Sequence, residues 1–176
     1  MRFLLLFSSL LTVALTSGCA HYQLGTTGKL SFHTLYIAPV ENKAALPQSV
    51  AIISAQLREA FLRDGRVTMV NSPEEADATL SVSLSRLGRE VTSARTDDTG
   101  LARKFNLDLT ALCTLRDNRN STLIFEKRPV LAEQQIFTTA TTQQTDSQQL
   151  QAEYQALPQL AATLADKITH TTLDVW

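Results

Sequence analysis

The sequence has little of what marks enzymes, nucleic-acid binders or metalloproteins. Its 176 residues carry 16 basic and 17 acidic side chains, so no strong field of either sign points to nucleic acid. The three histidines, His21, His33 and His170, lack metal-ligand spacing. No phosphate-binding glycine loop and no nucleophile elbow occurs. Although catalytic groups can converge from distant positions, these absences argue against an enzyme and predict no cofactor.

Cysteine and paired acids are scarce, and neither forms a recognisable reactive site. Of the two cysteines, Cys113 lies in an alternating apolar stretch, so we interpret it as a small core residue. The carboxylate pairs Glu74-Glu75 and Asp97-Asp98 lie in polar turns without a neighbouring base or nucleophile. We therefore interpret both pairs as solvated turn residues.

The first nineteen residues have the pattern of a secretory signal peptide. Met1-Arg2 precedes a short apolar run, and Thr16-Ser17-Gly18 precedes Cys19. The run is too short to span a bilayer, which takes about 20 residues. Cysteine after Ser-Gly resembles the bacterial lipoprotein box, in which the thiol is acylated and becomes the N-terminus, although Thr16 stands where the box usually has Leu. The alternative is an ordinary secreted protein with a chance cysteine.

Acylation of Cys19 implies a membrane-tethered protein. Acyl chains anchor at about 0.8 kcal/mol per buried CH₂, and no other apolar run approaches spanning length. Ala20 follows the cysteine, and by enterobacterial sorting the absence of Asp there favours the periplasmic side of the outer membrane. We expect residues 1–18 to be the signal peptide, residues 19–33 the lipidated N-terminus with a tether of about 40 Å at most, and residues 34–176 one domain.

Apolar spacing predicts an α+β fold with the order β-α-β-β-β-β-α. A short strand ends at Pro39, a helix covers residues 48–64, and a short strand follows at Val67–Val70. Three long alternating strands then form an antiparallel meander, whose members are residues 79–85, 104–115 and 123–137. Pro129 predicts a bulge or an edge position in the last of them.

The final helix has the sharpest apolar stripe in the chain, from Leu150 to Ile168. Pro158 should kink or restart this helix, and residues 138–147 before it should be a mobile connection. Packing on the chain's own sheet is favoured over a coiled-coil partner. Both helices would then cover one face of a two-layer sandwich, leaving a Ser/Thr-lined face open to water or a partner.

Basic residues accumulate on both sides of the predicted turn between the first two long strands. A hairpin there would gather Arg86, Arg89, Arg95, Arg103 and Lys104 around one loop end. Such a group could contact lipid phosphates through bidentate or point-charge interactions. The alternative is a solvated loop with scattered charges, balanced by nearby acids.

Several stretches, in order, resemble the LptE family of lipopolysaccharide-assembly lipoproteins. His21 stands where the family usually has Gly, and each motif alone is only moderately specific. The matching stretches are Cys19–Gly25 after the acylated cysteine, Leu35–Asn42 at the first strand, Leu57–Arg66 at the end of the first helix, Glu74–Leu80 at an acidic Ala-Asp turn, Leu160–Ile168 in the last helix, and Trp176.

The resemblance implies a sheet covered by two helices and a non-enzymatic function. Members of the family plug the LptD outer-membrane β-barrel, assist its folding, and help insert lipopolysaccharide into the outer leaflet. The implied partners are therefore an LptD-type barrel, lipopolysaccharide and the membrane, with no nucleic acid. The five cations above become candidate lipopolysaccharide contacts. The alternatives are a tethered α+β lipoprotein that regulates a periplasmic enzyme or builds another envelope or secretion complex, and an undetected enzyme.

Overall fold

Two helices and six strands account for most of the described chain. The computed structural model describes residues 30–44, 46, 49–93, 102–139 and 145–174. The helices are α1 (Ser49–Asp64) and α2 (Thr145–Leu173), and a 3₁₀ turn spans Pro73–Glu75. The strands are β1 (Thr34–Ile37), β2 (Glu41–Asn42), β3 (Thr68–Val70), β4 (Ala78–Ser93), β5 (Ala102–Asp117) and β6 (Thr122–Thr139).

The strands form one mixed sheet in the order β3-β1-β4-β5-β6, with β2 beside β4. β1 is parallel to β3 and β4, whereas β4, β5 and β6 are the antiparallel meander. The predicted α+β class and element order are confirmed. β2 is an addition, because two residues are too short to show a periodicity.

One face of the sheet packs against both helices. Alternate residues of β4 and β5 are buried there, and α2 lies mainly over β6, with α1 beside it. Cys113 belongs to this core, as predicted, and burial raises the pKa of its thiol to about 12. Neither helix in the described part of the chain is long and apolar enough to cross a bilayer.

Pro158 in α2 and Pro129 in β6 affect these two elements differently. α2 continues through Pro158, so the helix does not restart there; the exposed ring removes only the helical donor to the Tyr154 carbonyl. β6 has a register shift between the pairs Cys113–Arg128 and Leu115–Phe125, and Lys127 has φ 46°. β6 is also the last strand of the sheet, so both features expected from Pro129 are present.

Asp77 fixes the point where the chain joins the sheet. Its Oδ2 accepts hydrogen bonds from the backbone N–H groups of His33 at 2.8 Å and Thr34 at 3.0 Å. Thr34 Oγ1 in turn accepts from the Asp77 N–H at 2.7 Å. Arg119, in the β5–β6 turn, donates to the Ser31 carbonyl. The N-terminal segment therefore leaves the sheet at the end that carries the β5–β6 turn.

Candidate functional site

The face of the sheet opposite the helices is uncovered by any described element. Its inner strands carry the predicted hydroxyl side chains, including Ser81, Thr110 and Thr114. Its outer strand adds large apolar side chains, with Leu131 43% exposed and Phe137 64% exposed. Alternation along one strand puts these groups on the same face. The open face is thus amphipathic.

A bulge in β4 decides which basic residues reach this face. The register shifts between Leu84 and Arg86, and the Ser85 hydroxyl donates to the Thr110 carbonyl at 3.1 Å. One extra residue reverses the alternation beyond the bulge. Arg86 consequently lies on the open face, whereas Arg89 lies on the helix-covered face.

Arg89 is bound to α2 by a bidentate ion pair. Its Nε lies 2.6 Å from Glu153 Oε1, and its Nη2 lies 2.8 Å from Oε2. Hydrogen bonding to this carboxylate raises the pKa of Arg89. The pair borders an apolar cleft of about 100 Å³, whose other walls are Leu46, Leu87, Leu107, Leu150, Tyr154 and Leu157. The guanidinium fork is therefore occupied by the protein itself.

Arg86 lies over Gly88 together with Asp108. A Cβ atom at Gly88 would meet Asp108 Oδ2 at 2.2 Å and Arg86 Nη2 at 3.6 Å, so both side chains close over the glycine. Among the described residues Arg86 makes no ion pair within 4.0 Å, which leaves donors of its guanidinium for a ligand. Nearby Asp108 would steer a phosphate to one side of it.

Lys104 lies further along the open face, above the Phe137 ring, with 5.7 Å from its Nζ to the ring centroid. It is six residues from Thr110, the register partner of Arg86, which is about 20 Å at strand rise. Arg103 belongs to β5 opposite Thr138, and Arg95 lies outside the described residues. Of the described side chains, Arg86 and Lys104 therefore lie apart on the open face and Arg89 lies on the other face, so these three do not form one cluster.

The described open face presents hydroxyl, amide, charged and apolar side chains. No group of three potential metal ligands occurs in the part of the chain that the structure describes. His170 Nδ1 lies 3.2 Å from Asp174 Oδ2, and Arg66 Nη1 donates to the same carboxylate at 2.7 Å. This exposed network joins the end of α2 to the loop after α1. We assign this network a structural role, because it ties two chain segments together.

Comparison with known proteins identifies the family. A model of the LptE lipopolysaccharide-assembly family matches residues 32–172, which is most of the chain. The protein belongs to the LptE family. LptE proteins are non-enzymatic lipopolysaccharide-assembly lipoproteins, so the family predicted from sequence is confirmed. No curated protein matches this LptE family member.

Solved structures share the fold of this LptE family member at low identity. A minor lipoprotein from Acinetobacter baumannii is similar with TM-score 0.50 and 16% identity, covering 82% of this chain and 93% of that one. A hypothetical protein from Chlamydia trachomatis is similar with TM-score 0.54 and 9% identity, covering 81% and 96%. At such identities the likeness shows the fold alone.

Proposed function

We propose that this protein is a lipoprotein acylated at Cys19 that plugs an LptD-type barrel from the periplasmic side of the outer membrane. It would assist assembly of the barrel and help insert lipopolysaccharide into the outer leaflet. The amphipathic open face of β4, β5 and β6, on a chain of this family, is the observation that carries the proposal. A water-lined lumen with some apolar wall is the surface that such a mixed face complements.

The position of the N-terminal segment supports a tethered plug. The described chain begins beside the β5–β6 turn, where Arg119 and Asp77 hold residues 31–34. Residues 19–29 can extend about 40 Å, so the anchor keeps this end of the sheet near the membrane. The 16 residues of β4 span about 50 Å, so the last residue of β4 lies far from that end. A domain with these proportions can extend along a lumen.

Arg86 and Lys104 are the leading candidates for lipid A phosphates, because both lie on the open face. Arg86 offers a planar fork for bidentate contact, and Lys104 offers a point charge. Arg95 and Arg103 remain candidates by sequence. Arg89 is the least favoured of the five, since Glu153 would have to release it first.

The first test is purification of the tagged, full-length protein from its own envelope in mild detergent. We expect a large LptD-type β-barrel to co-purify in equal amount. Recovery of the protein alone, or with a periplasmic enzyme or another envelope complex, would contradict the plug and favour the alternative of a tethered lipoprotein with a different partner. Cys19→Ser should abolish acylation, which intact-mass measurement detects.

A second test separates lipid binding from barrel binding. We expect Arg86→Ala combined with Lys104→Ala to weaken binding of lipopolysaccharide about tenfold, since each removes a charge-assisted contact. Arg58→Ala is the matched control, because Arg58 is an exposed cation of α1 on the other side of the molecule. Equal binding by the double variant and the control would remove these two residues from the proposal.

A further inference from the structure

β6 exposes backbone hydrogen-bonding groups along its outer edge. It is the last strand of the sheet, and no described strand lies beyond it. The Thr110 carbonyl accepts a hydrogen bond from Ser85, so the backbone groups of Thr110 point toward β4. The backbone N–H and C=O of its register partner, Leu131, therefore point away from β5. The Leu131 carbonyl indeed accepts from Lys167 Nζ at 2.8 Å. By alternation, the N–H and C=O groups of Glu133, Gln135 and Phe137 also point outward.

The first half of this edge is protected against pairing, whereas the second half is not. The bulge at Lys127, the missing N–H of Pro129 and the Lys167 contact to Leu131 all interrupt the first half. These are devices by which proteins prevent edge-to-edge association. From Glu133 to Phe137, the described residues make one contact to this edge, in which Gln134 Nε2 donates to the Gln135 carbonyl at 3.2 Å.

We infer that residues 133–137 of β6 accept an extended segment of the partner barrel as an additional antiparallel or parallel strand. This inference rests on the proposed function, because the partner is the same barrel. Edge addition uses main-chain hydrogen bonds for affinity and alternate side chains for specificity. Phe137 is exposed on the open face, so an apolar residue should lie opposite it, and a basic residue should lie opposite Glu133.

The packing of α2 favours a lone segment over a second copy of this chain. α2 lies mainly over β6, directly inside the exposed edge. Paired strands are about 4.8 Å apart, whereas packed helix axes need about 8–10 Å. Two copies joined edge to edge with their helices on the same face would therefore crowd α2 against its counterpart. A segment that carries no helix avoids this conflict.

Gln135→Pro tests the edge directly in the full-length protein. The outward N–H of Gln135 has no acceptor among the described residues, so proline should leave the β5–β6 ladder intact while blocking an incoming strand. We expect circular dichroism to be unchanged and recovery of the barrel to fall about tenfold. Gln135→Ala is the matched control, since it removes the same side chain but keeps the N–H, and it should retain the barrel.

The outcomes separate this inference from the proposed function. If the wild type fails to recover the barrel, the proposed function fails; if the wild type and Gln135→Pro recover it equally, only the edge inference is overturned. If Gln135→Pro melts well below the wild type, a photo-crosslinking residue at position 137 replaces it, with position 81 as control, because Ser81 is exposed on the same open face but lies in β4, away from the edge. A barrel adduct that is much stronger at 137 than at 81 supports the inference; no adduct at 137, equal adducts at both positions, or an adduct of two copies overturns it.

Discussion

Replacing Asp77 by Ala should loosen the junction between the N-terminal segment and the sheet. The substitution leaves the N–H groups of His33 and Thr34 without their carboxylate acceptor. Hydrogen bonds to charged groups contribute about 1.5–3 kcal/mol each, and water can reach this half-exposed site, so we expect a loss of about 2 kcal/mol for the two together. For a chain of this size the melting temperature should fall by about 4–8 °C.

The Asp77 contribution should also depend on pH. Hydrogen bonds from His33 and Thr34 lower the pKa of Asp77 below its usual 3.8. The carboxylate therefore stabilises the fold above that unfolded value, and the contribution is lost as pH falls through the folded pKa. Unfolding in guanidinium at pH 7 and at acid pH measures this directly. We expect wild type and Asp77→Ala to converge in acid.

Asp77→Asn is the matched control for this prediction. It keeps an oxygen acceptor but has no charge, so it should cost about half as much as Asp77→Ala at pH 7 and should not titrate. Equal stability of all three proteins at pH 7 would refute the reasoning. A difference between wild type and Asp77→Ala that is the same at every pH would refute the role of the charge.

Three further tests address the core and the open face. Leu164→Ala should cost about 2–5 kcal/mol in guanidinium unfolding, because Leu164 is fully buried in α2, whereas Leu150→Ala should cost under about 0.5 kcal/mol because Leu150 is 53% exposed. In a Cys19→Ser variant, Cys113 should resist thiol reagents at pH 8 until the protein unfolds, since its pKa is about 12. Gly88→Ala should displace the Asp108 side chain on the open face and so change the affinity for lipopolysaccharide. The melting temperature, which reports core packing, should change little.

Side-chain periodicity allowed the long elements to be predicted, because burial of one face imposes it. The stripe from Leu150 to Ile168 indicated a helix with one buried face, and alternation in β4 and β5 indicated half-buried strands. Parallel pairing of β1 with β3 and β4 could not be predicted in this way. Strands of three or four residues carry too few alternations to show which neighbour they join.

The structure gives a physical reason for one family motif, the acidic Ala-Asp turn at residues 74–80. In sequence, residues 74–80 matched a family motif without a stated reason. In the structure, the Asp77 carboxylate bonds two backbone groups more than forty residues earlier, and the Asp77 N–H returns a bond to Thr34. The motif therefore makes long-range hydrogen bonds that hold residues 33–34 against the sheet. No local spacing rule predicts such contacts.

The faces on which the basic residues of β4 lie depend on a local irregularity that alternation alone does not include. Strict alternation from Leu80 through Leu84 would put Arg86 inward and Arg89 outward, whereas the bulge at Ser85 exchanges them. The spacing of the apolar residues indicates the bulge, since Leu84 and Leu87 are three residues apart, whereas an unbroken strand requires a spacing of two or four. Because Ser85 is the extra residue, its deletion should give a regular β4 ladder in which Arg86 stays on the open face and Arg89 stays beside Glu153. The deletion variant should therefore keep lipopolysaccharide binding, and loss of binding in a variant that still folds would show that the bulge itself, rather than the face on which Arg86 lies, is required.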